Sequence, residues 1–336
     1  MVTESRRSTR RGRLALVGLA LLAAAALLTH MPRLVAWARL NTGYVWLNRG
    51  LAEAEPAKVE RATRFFTAGS DDPASRRSAW RGLGLAYVSQ GRFEAAGLAW
   101  QQIGGLDEFE MWGLQAEQAG NWTGARDWYG LATRSAPQNG DYWYLRARAA
   151  AQASDSAAAG FYREALAAPE SRRFGRSNTL TRLAELAKQE QPPDWDAALA
   201  RFEEAIQQDE FIAPEDALLA GVGRAEALDK LGRTPEALAA YREVTASWPD
   251  HYWANVHSGR LSWYLERDET AAVRYLERAI AADPRPMWAY LFLGSVYAES
   301  GQPEKAIPLL RHVLTIEPDN EAARRQIQKL TGENDS

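Results

Sequence analysis

The chain has 336 residues, 46% hydrophobic and 25% charged, the balance of an ordinary folded protein, with a formal net charge of −3. That charge gives no general pull toward nucleic acid or anionic membrane. The absence of Cys excludes disulfides, thiolate nucleophiles, Cys-based zinc sites and iron–sulfur clusters, and four His are few for a metalloenzyme.

Residues 5–13, SRRSTRRGR, carry five Arg and run into Leu14–Leu28, LALVGLALLAAAALL, with no charged residue before Arg33. Leu14–Met31 is 18 residues long. As a helix it spans about 27 Å, near the lower limit for crossing a bilayer. A signal peptide cleaved after Ala24–Ala26 is one reading. An uncleaved anchor fits better, because the apolar run continues through Leu27 and Leu28 and Trp37 stands where an interfacial aromatic belongs. The expected layout is a basic cytoplasmic tail (1–13), a transmembrane signal-anchor helix (14–31) and a juxtamembrane segment (32–40). The remainder then lies outside the cytoplasm, on a single-pass protein of the cell membrane.

From residue 41 to 330, helical periodicity with Gly or Pro punctuation is unbroken and no period-two run appears, so the chain is expected to be all-α. In Met287–Asn320, Leu293, Gly294 and Tyr297 precede Gly301, while Ala306, Leu310, Val313 and Pro318 follow it. That order reads as a helix, a Gly-centred turn, a second helix and a Pro stop. Small residues with a large apolar residue four later recur upstream at Ala62/Phe66, Ala96/Trp100, Ala125/Tyr129, Ala158/Tyr162, Ala198/Phe202, Ala237/Tyr241 and Ala272/Leu276. With Ala306/Leu310 they make eight, at spacings of 34, 29, 33, 40, 39, 35 and 34 residues. The first unit, Asn41–Gly69, is degenerate; Pro192-Pro193 lengthens a turn; and Arg267-Asp268 stands where a turn Gly is expected. Glu321–Leu330 places Ala322, Ile327 and Leu330 inward and Arg324, Arg325 and Gln328 outward, as a terminal cap requires, and 332–336 should fray.

Trp80, Leu83, Gly84 and Tyr87, followed by Gly91, Ala96 and Trp100, complete a Trp-x-x-Leu-Gly-x-x-Tyr pattern in a unit of about 34 residues. The chain thereby resembles the tetratricopeptide-repeat (TPR) family, and in particular its membrane-anchored bacterial members. The resemblance implies an α-solenoid of about eight helix-turn-helix repeats with a C-terminal capping helix over 41–331, preceded by the one membrane helix. It also implies a groove, lined by the first helix of each repeat, that holds a protein partner. The family's best-known groove clamps a peptide carboxylate with Lys and Asn, but no such pair occupies Arg81/Leu85, Glu110/Leu114, Trp143/Ala147, Val222/Glu226, His257/Leu261 or Leu291/Ser295. The expected partner-binding groove is instead aromatic and apolar, carried by Trp143, His257, Tyr264, Trp288 and Leu291. Trp80, Trp100, Trp112, Tyr87 and Tyr297 fall on packing positions.

No catalytic, cofactor or metal constellation emerges. His251 and His257 are six apart and do not share a helix face as ligands four apart would. Gly82/Gly84 and Gly221/Gly223 lack both the third glycine and the preceding strand of a dinucleotide fingerprint. Asn121-Trp122-Thr123 matches a glycosylation sequon but sits in a turn. Arg172, Arg173, Arg176 and Arg182 lack the interleaved aromatics of a nucleic-acid surface and read as a solvated turn. The expected function is therefore a non-catalytic, membrane-anchored scaffold or adaptor that binds a protein partner in envelope-associated complex assembly. Two alternatives stay open: an accessory subunit of an envelope polysaccharide or secretion complex touching glycan through its aromatics, and a cleaved periplasmic or secreted TPR protein.

Overall fold

A computed structural model describes residues 30–104, 107–169 and 173–332. They form helices joined by short turns, with no strand among the described residues. Two compact units divide the chain. The first holds α1 (30–52), α2 (Pro56–Ser70), α3 (Arg76–Ser89), α4 (Phe93–Gln101), α5 (Asp107–Gln118), α6 (Trp122–Ser135) and α7 (Gly140–Gln152). The second holds α8 (Ala158–Ala167), α9 (Arg176–Gln189), α10 (Trp195–Gln208), α11 (Pro214–Lys230), α12 (Thr234–Ser247) and α13 (Tyr252–Leu261), which continues into a π turn (Ser262–Glu266). It ends with α14 (Glu269–Ala282), α15 (Trp288–Glu299), α16 (Pro303–Ile316) and α17 (Glu321–Thr331).

The expected basic tail, most of the expected span 14–31 and residues 333–336 lie outside the described residues. Among those described, no helix is long and apolar enough to cross a membrane. Residues 32–40, expected as a separate juxtamembrane segment, are the opening turns of α1.

The eight small residues that mark the repeats are all buried, from 0% exposed at Ala62 and Ala306 to 2% at Ala158. The large residue four later is buried with each. In most hairpins that large side chain lies on bare backbone. A Cβ on Gly43 or Gly82 would come within 2.7 or 2.5 Å of the Phe66 ring, so Phe66 fills notches on both α1 and α3. A Cβ on Gly84 would meet Trp100 at 1.9 Å, one on Gly113 would meet Tyr129 at 2.3 Å, one on Gly223 Phe202 at 2.3 Å and one on Gly259 Leu276 at 2.6 Å. Trp100 is also pinned through its ring, since its Nε1 donates to the Arg81 carbonyl at 3.1 Å. Notch and ring together bring paired helices close enough to exclude water.

The turns share a second constraint. The residue leaving the first helix is left-handed at Gly91, Gly120, Gly232 and Gly301, with φ from +69° to +75°. Ala54, Ser154 and Arg267 adopt the same region at +52°, +56° and +53° although they carry a Cβ. Left-handed backbone costs a non-Gly residue about 1–2 kcal/mol. Arg267 also pairs with Glu299 at 2.9 Å, an exposed contact that adds little stability. At the far end, the Asn320 side chain caps α17 by accepting from the Ala323 N–H at 3.0 Å, and Ala323 and Ile327, with Leu330, close the core; Ala322, expected inward, instead faces water with Arg324 and Arg325, the inward stripe starting one residue later.

Two substitutions separate these constraints. Gly84→Ala gains up to about 1 kcal/mol of helix propensity but drives a methyl into a pinned indole. A net loss of about 2 kcal/mol or more in denaturant unfolding is expected, and a neutral result would show that the notch is not needed. Ala54→Gly relieves a strained turn and should stabilise the protein by about 1 kcal/mol.

Candidate functional site

Within each unit, many charged side chains on the first helices of successive hairpins pair with one another. Arg81 on α3 pairs with Glu108 on α5 at 2.7 Å, and Glu117 further along α5 takes Arg148 of α7 at 2.7 Å. In the second unit Arg182 and Asn178 of α9 meet Asp216 of α11 at 3.4 and 2.8 Å, and Lys188 meets Glu226 at 2.7 Å. Asp229 on α11 accepts from Arg260 on α13 at 2.6 Å. At the π turn, the Trp263 ring N–H and the following Arg267 both donate to Glu299 of α15, at 3.0 and 2.9 Å. Ser295 accepts from Gln326 of α17 at 2.8 Å. Burial disfavours the Lys188 ammonium, yet Glu226 and Glu185 override it and hold the group above its ordinary range. Each such pair adds little stability where it is solvated. Their joint effect is to leave few uncompensated charges along these helices.

Apolar side chains therefore supply what could grip a partner, and the structure sorts the expected ones. Trp288 opens α15, is 41% exposed and stacks on Phe292 with ring centroids 6.2 Å apart. Tyr264, in the π turn, is 66% exposed. It lies at the opposite end of its hairpin from the start of α13. His257 lies flat on Tyr241 at 4.8 Å and is largely covered. Leu291 is 7% exposed and belongs to the core beside Ala306 and Leu310, so it offers no groove surface. Trp143, in the first unit, is half-buried; its ring N–H donates to the Pro137 carbonyl at 2.8 Å and Arg146 lies over its face. The five are thus not one cluster. Trp253, which the sequence reading passed over, is 45% exposed at the start of α13, the same helical end that Trp288 occupies on α15. Its signal was available: Tyr252-Trp253 follows Pro249 much as Trp288 follows Pro286.

The remaining motifs have structural roles. Gly82, Gly84 and Gly223 are helix notches. Asn121 caps α6, accepting from the Gly124 N–H at 2.9 Å. Arg176 and Arg182 are held by Glu204 and Asp216, while Arg172 lies outside the described residues. Among the described residues no group of three or more His, Asp or Glu could hold a metal ion.

Tetratricopeptide-repeat family models match residues 110–172, 194–252 and 264–330, more than half of the chain. No curated protein matches it. Among solved structures it is similar to PilF of Pseudomonas aeruginosa, at 16% identity and a TM-score of 0.54, covering 68% of this chain and 97% of that one. It is similar to YrrB, described as a TPR protein with an unusual peptide-binding site, at 18% identity and a TM-score of 0.50, covering 59% of this chain and 96% of that one. PilW, described as a widely conserved type IV pilus biogenesis factor, gives 15% identity, a TM-score of 0.50, and coverage of 66% and 97%. At these identities the likeness is one of fold.

His257 makes the second unit pH-sensitive. Burial holds its imidazole far below the ordinary range, at about 4; Arg260 and Lys230 push the same way, against Asp229 and Glu226. In the unfolded chain the group titrates near 6.5. Because the folded value is depressed, its contribution is fully present above pH ~6.5 and is lost as pH falls through about 4. The limiting loss is about 3 kcal/mol. His257→Phe keeps the stack on Tyr241 and removes the proton site. Urea titrations between pH 7 and 4 should show a shallower decline for the variant, and equal slopes would exclude the effect. His251, whose Nδ1 accepts from the Ala254 N–H, is also depressed by burial and contributes equally to both proteins.

Proposed function

The chain belongs to the tetratricopeptide-repeat family, and on that premise we propose that it is a membrane-anchored, non-catalytic scaffold whose second unit holds a protein partner. The observation that carries this reading is the pairing of charge with exposed rings. Along α9, α11, α13 and α15 the charged groups neutralise one another between hairpins, while Trp253, Trp288 and Tyr264 stay open to solvent. Large rigid rings on a surface of compensated charge suit an apolar anchor, such as one face of an amphipathic helix or an extended peptide bearing aromatic or branched side chains. The peptide-binding site of YrrB is a precedent for that class of occupant on the same fold. Attachment is supported by the uncharged run Leu14–Leu28 behind five Arg, and the same charge bias favours the repeats lying outside the cytoplasm, in an envelope-associated complex.

Crosslinking in intact cells followed by mass spectrometry identifies the partner. Trp253→Ala combined with Trp288→Ala should then abolish its recovery while melting temperature and helical content hold. A large fall in melting temperature with each single change would make these rings core and sink the reading. Leu291→Ala is the opposite control, expected to cost about 2–5 kcal/mol of stability as a core truncation. The N-terminal residue of the mature protein decides attachment: an end near Leu27 would replace the anchor with a cleaved signal.

A further inference from the structure

The first hairpin carries a charge asymmetry that the partner-binding reading does not use. No acidic residue occurs between His30 and Ala52 or between Arg61 and Ser70. Arg33, Arg39, Arg49, Arg61 and Arg64 fall in those two stretches. Among the described residues none of the five makes an ion pair, although most other hairpins bind their arginines to carboxylates. Of the hairpin's three carboxylates, Glu53 and Glu55 sit at its turn and hold Lys58, while Glu60 is exposed on α2 and does not line the groove described next.

Three of these guanidinium groups converge on one feature. Arg39 from α1 and Arg61 and Arg64 from α2 line a groove of about 470 Å³ whose other walls are Trp46, Phe65 and Ala68. Arg61 stands over the Trp46 ring, 4.9 Å from its centroid. A trio of cations on aromatic walls, with no acid lining it, is complementary to an anion that carries an apolar body.

Its place along α1 identifies the occupant. Met31, Leu34, Val35 and Trp37 are 54%, 53%, 41% and 65% exposed, an apolar surface at the start of the helix that nothing in the described protein covers. It continues the uncharged run that begins at Leu14. If the hydrocarbon boundary falls near Val35, Arg39 lies about 6 Å beyond it, at the depth of the head groups. Trp37 then sits in the interfacial belt. Because α2 runs back along α1, with Phe66 against Gly43, the Phe65–Ala68 end of the groove faces the same boundary.

We infer that the α1–α2 groove binds the head group of an anionic phospholipid, seating the first hairpin on the membrane surface. The inference rests on the anchored reading and fixes how the first hairpin stands on the bilayer. Full-length protein in nanodiscs of phosphatidylcholine alone, or of an equal mixture with phosphatidylglycerol, tests it. Arginine modification by phenylglyoxal is followed residue by residue by mass spectrometry. Arg39, Arg61 and Arg64 should react several-fold more slowly in the anionic discs, while exposed Arg278 reacts equally in both. The protection should fade in 1 M salt, where the screening length falls to about 3 Å. Equal rates at the three arginines in both discs would overturn the lipid site and leave an acidic protein segment as the groove's occupant. Failure of the anchor itself shows separately, as protein that enters discs of neither composition.

Discussion

The fold depends on a large side chain from the second helix of a hairpin lying against bare backbone of a first helix. Phe66 does this twice, filling Gly43 of its own hairpin and Gly82 of the next. The contact therefore joins hairpins as well as closing them. It ties neighbouring hairpins together through geometry that neither helix owns alone: the notch has no use without the ring, and the ring is an exposed aromatic without the notch. Burial of Trp100, Tyr129 and Phe202 follows the same rule. Close-packed interiors forgive few changes of volume, and this one concentrates its tolerance limits at single methyl positions.

With packing settled by these rings, the first helices are free to vary elsewhere, and that freedom takes two forms. Along much of both units it becomes ion pairs between neighbouring hairpins, which fix their register and mute the surface. At the ends of α13 and α15 it becomes open rings. The first hairpin is different again, since its arginines are left unpaired around Trp46 and Phe65. One repeated scaffold thus presents a compensated surface, an apolar one and a cationic one, depending only on residues the packing does not specify.

The periodic part of this was legible in the sequence, because burial of the marker Ala and of the residue four later is dictated by helical spacing alone. Side-chain direction at helix starts was not. Leu291 and Trp288 are three residues apart, so their directions are set by where α15 begins, and an offset of one position turns a residue by about 100°. That is why Leu291 was expected in the groove and is core, and why Trp253 was overlooked although it is as open as Trp288. The beginning of α1 was hidden for another reason. Residues 32–40 carry no turn signal, and what makes them part of the first hairpin is the contact of later turns with Phe66, which only the tertiary structure supplies.

The π turn at Ser262–Glu266 gives the seventh hairpin a property the others lack. Its closing bond runs from Arg267 to the Ser262 carbonyl, one residue further than an α-helical bond, so the turn holds one extra residue over nearly the same rise. Everything after it is rotated by about 100° relative to a plain helix. Elsewhere an inserted residue would push a helix out of step with both neighbours. Here the insertion is absorbed before the chain leaves the hairpin, and Leu276 still reaches Gly259. Trp263 and Tyr264 thus sit within the widened turn while α13 and α14 keep their packing, so a change of address on the surface needs no change of architecture beneath it.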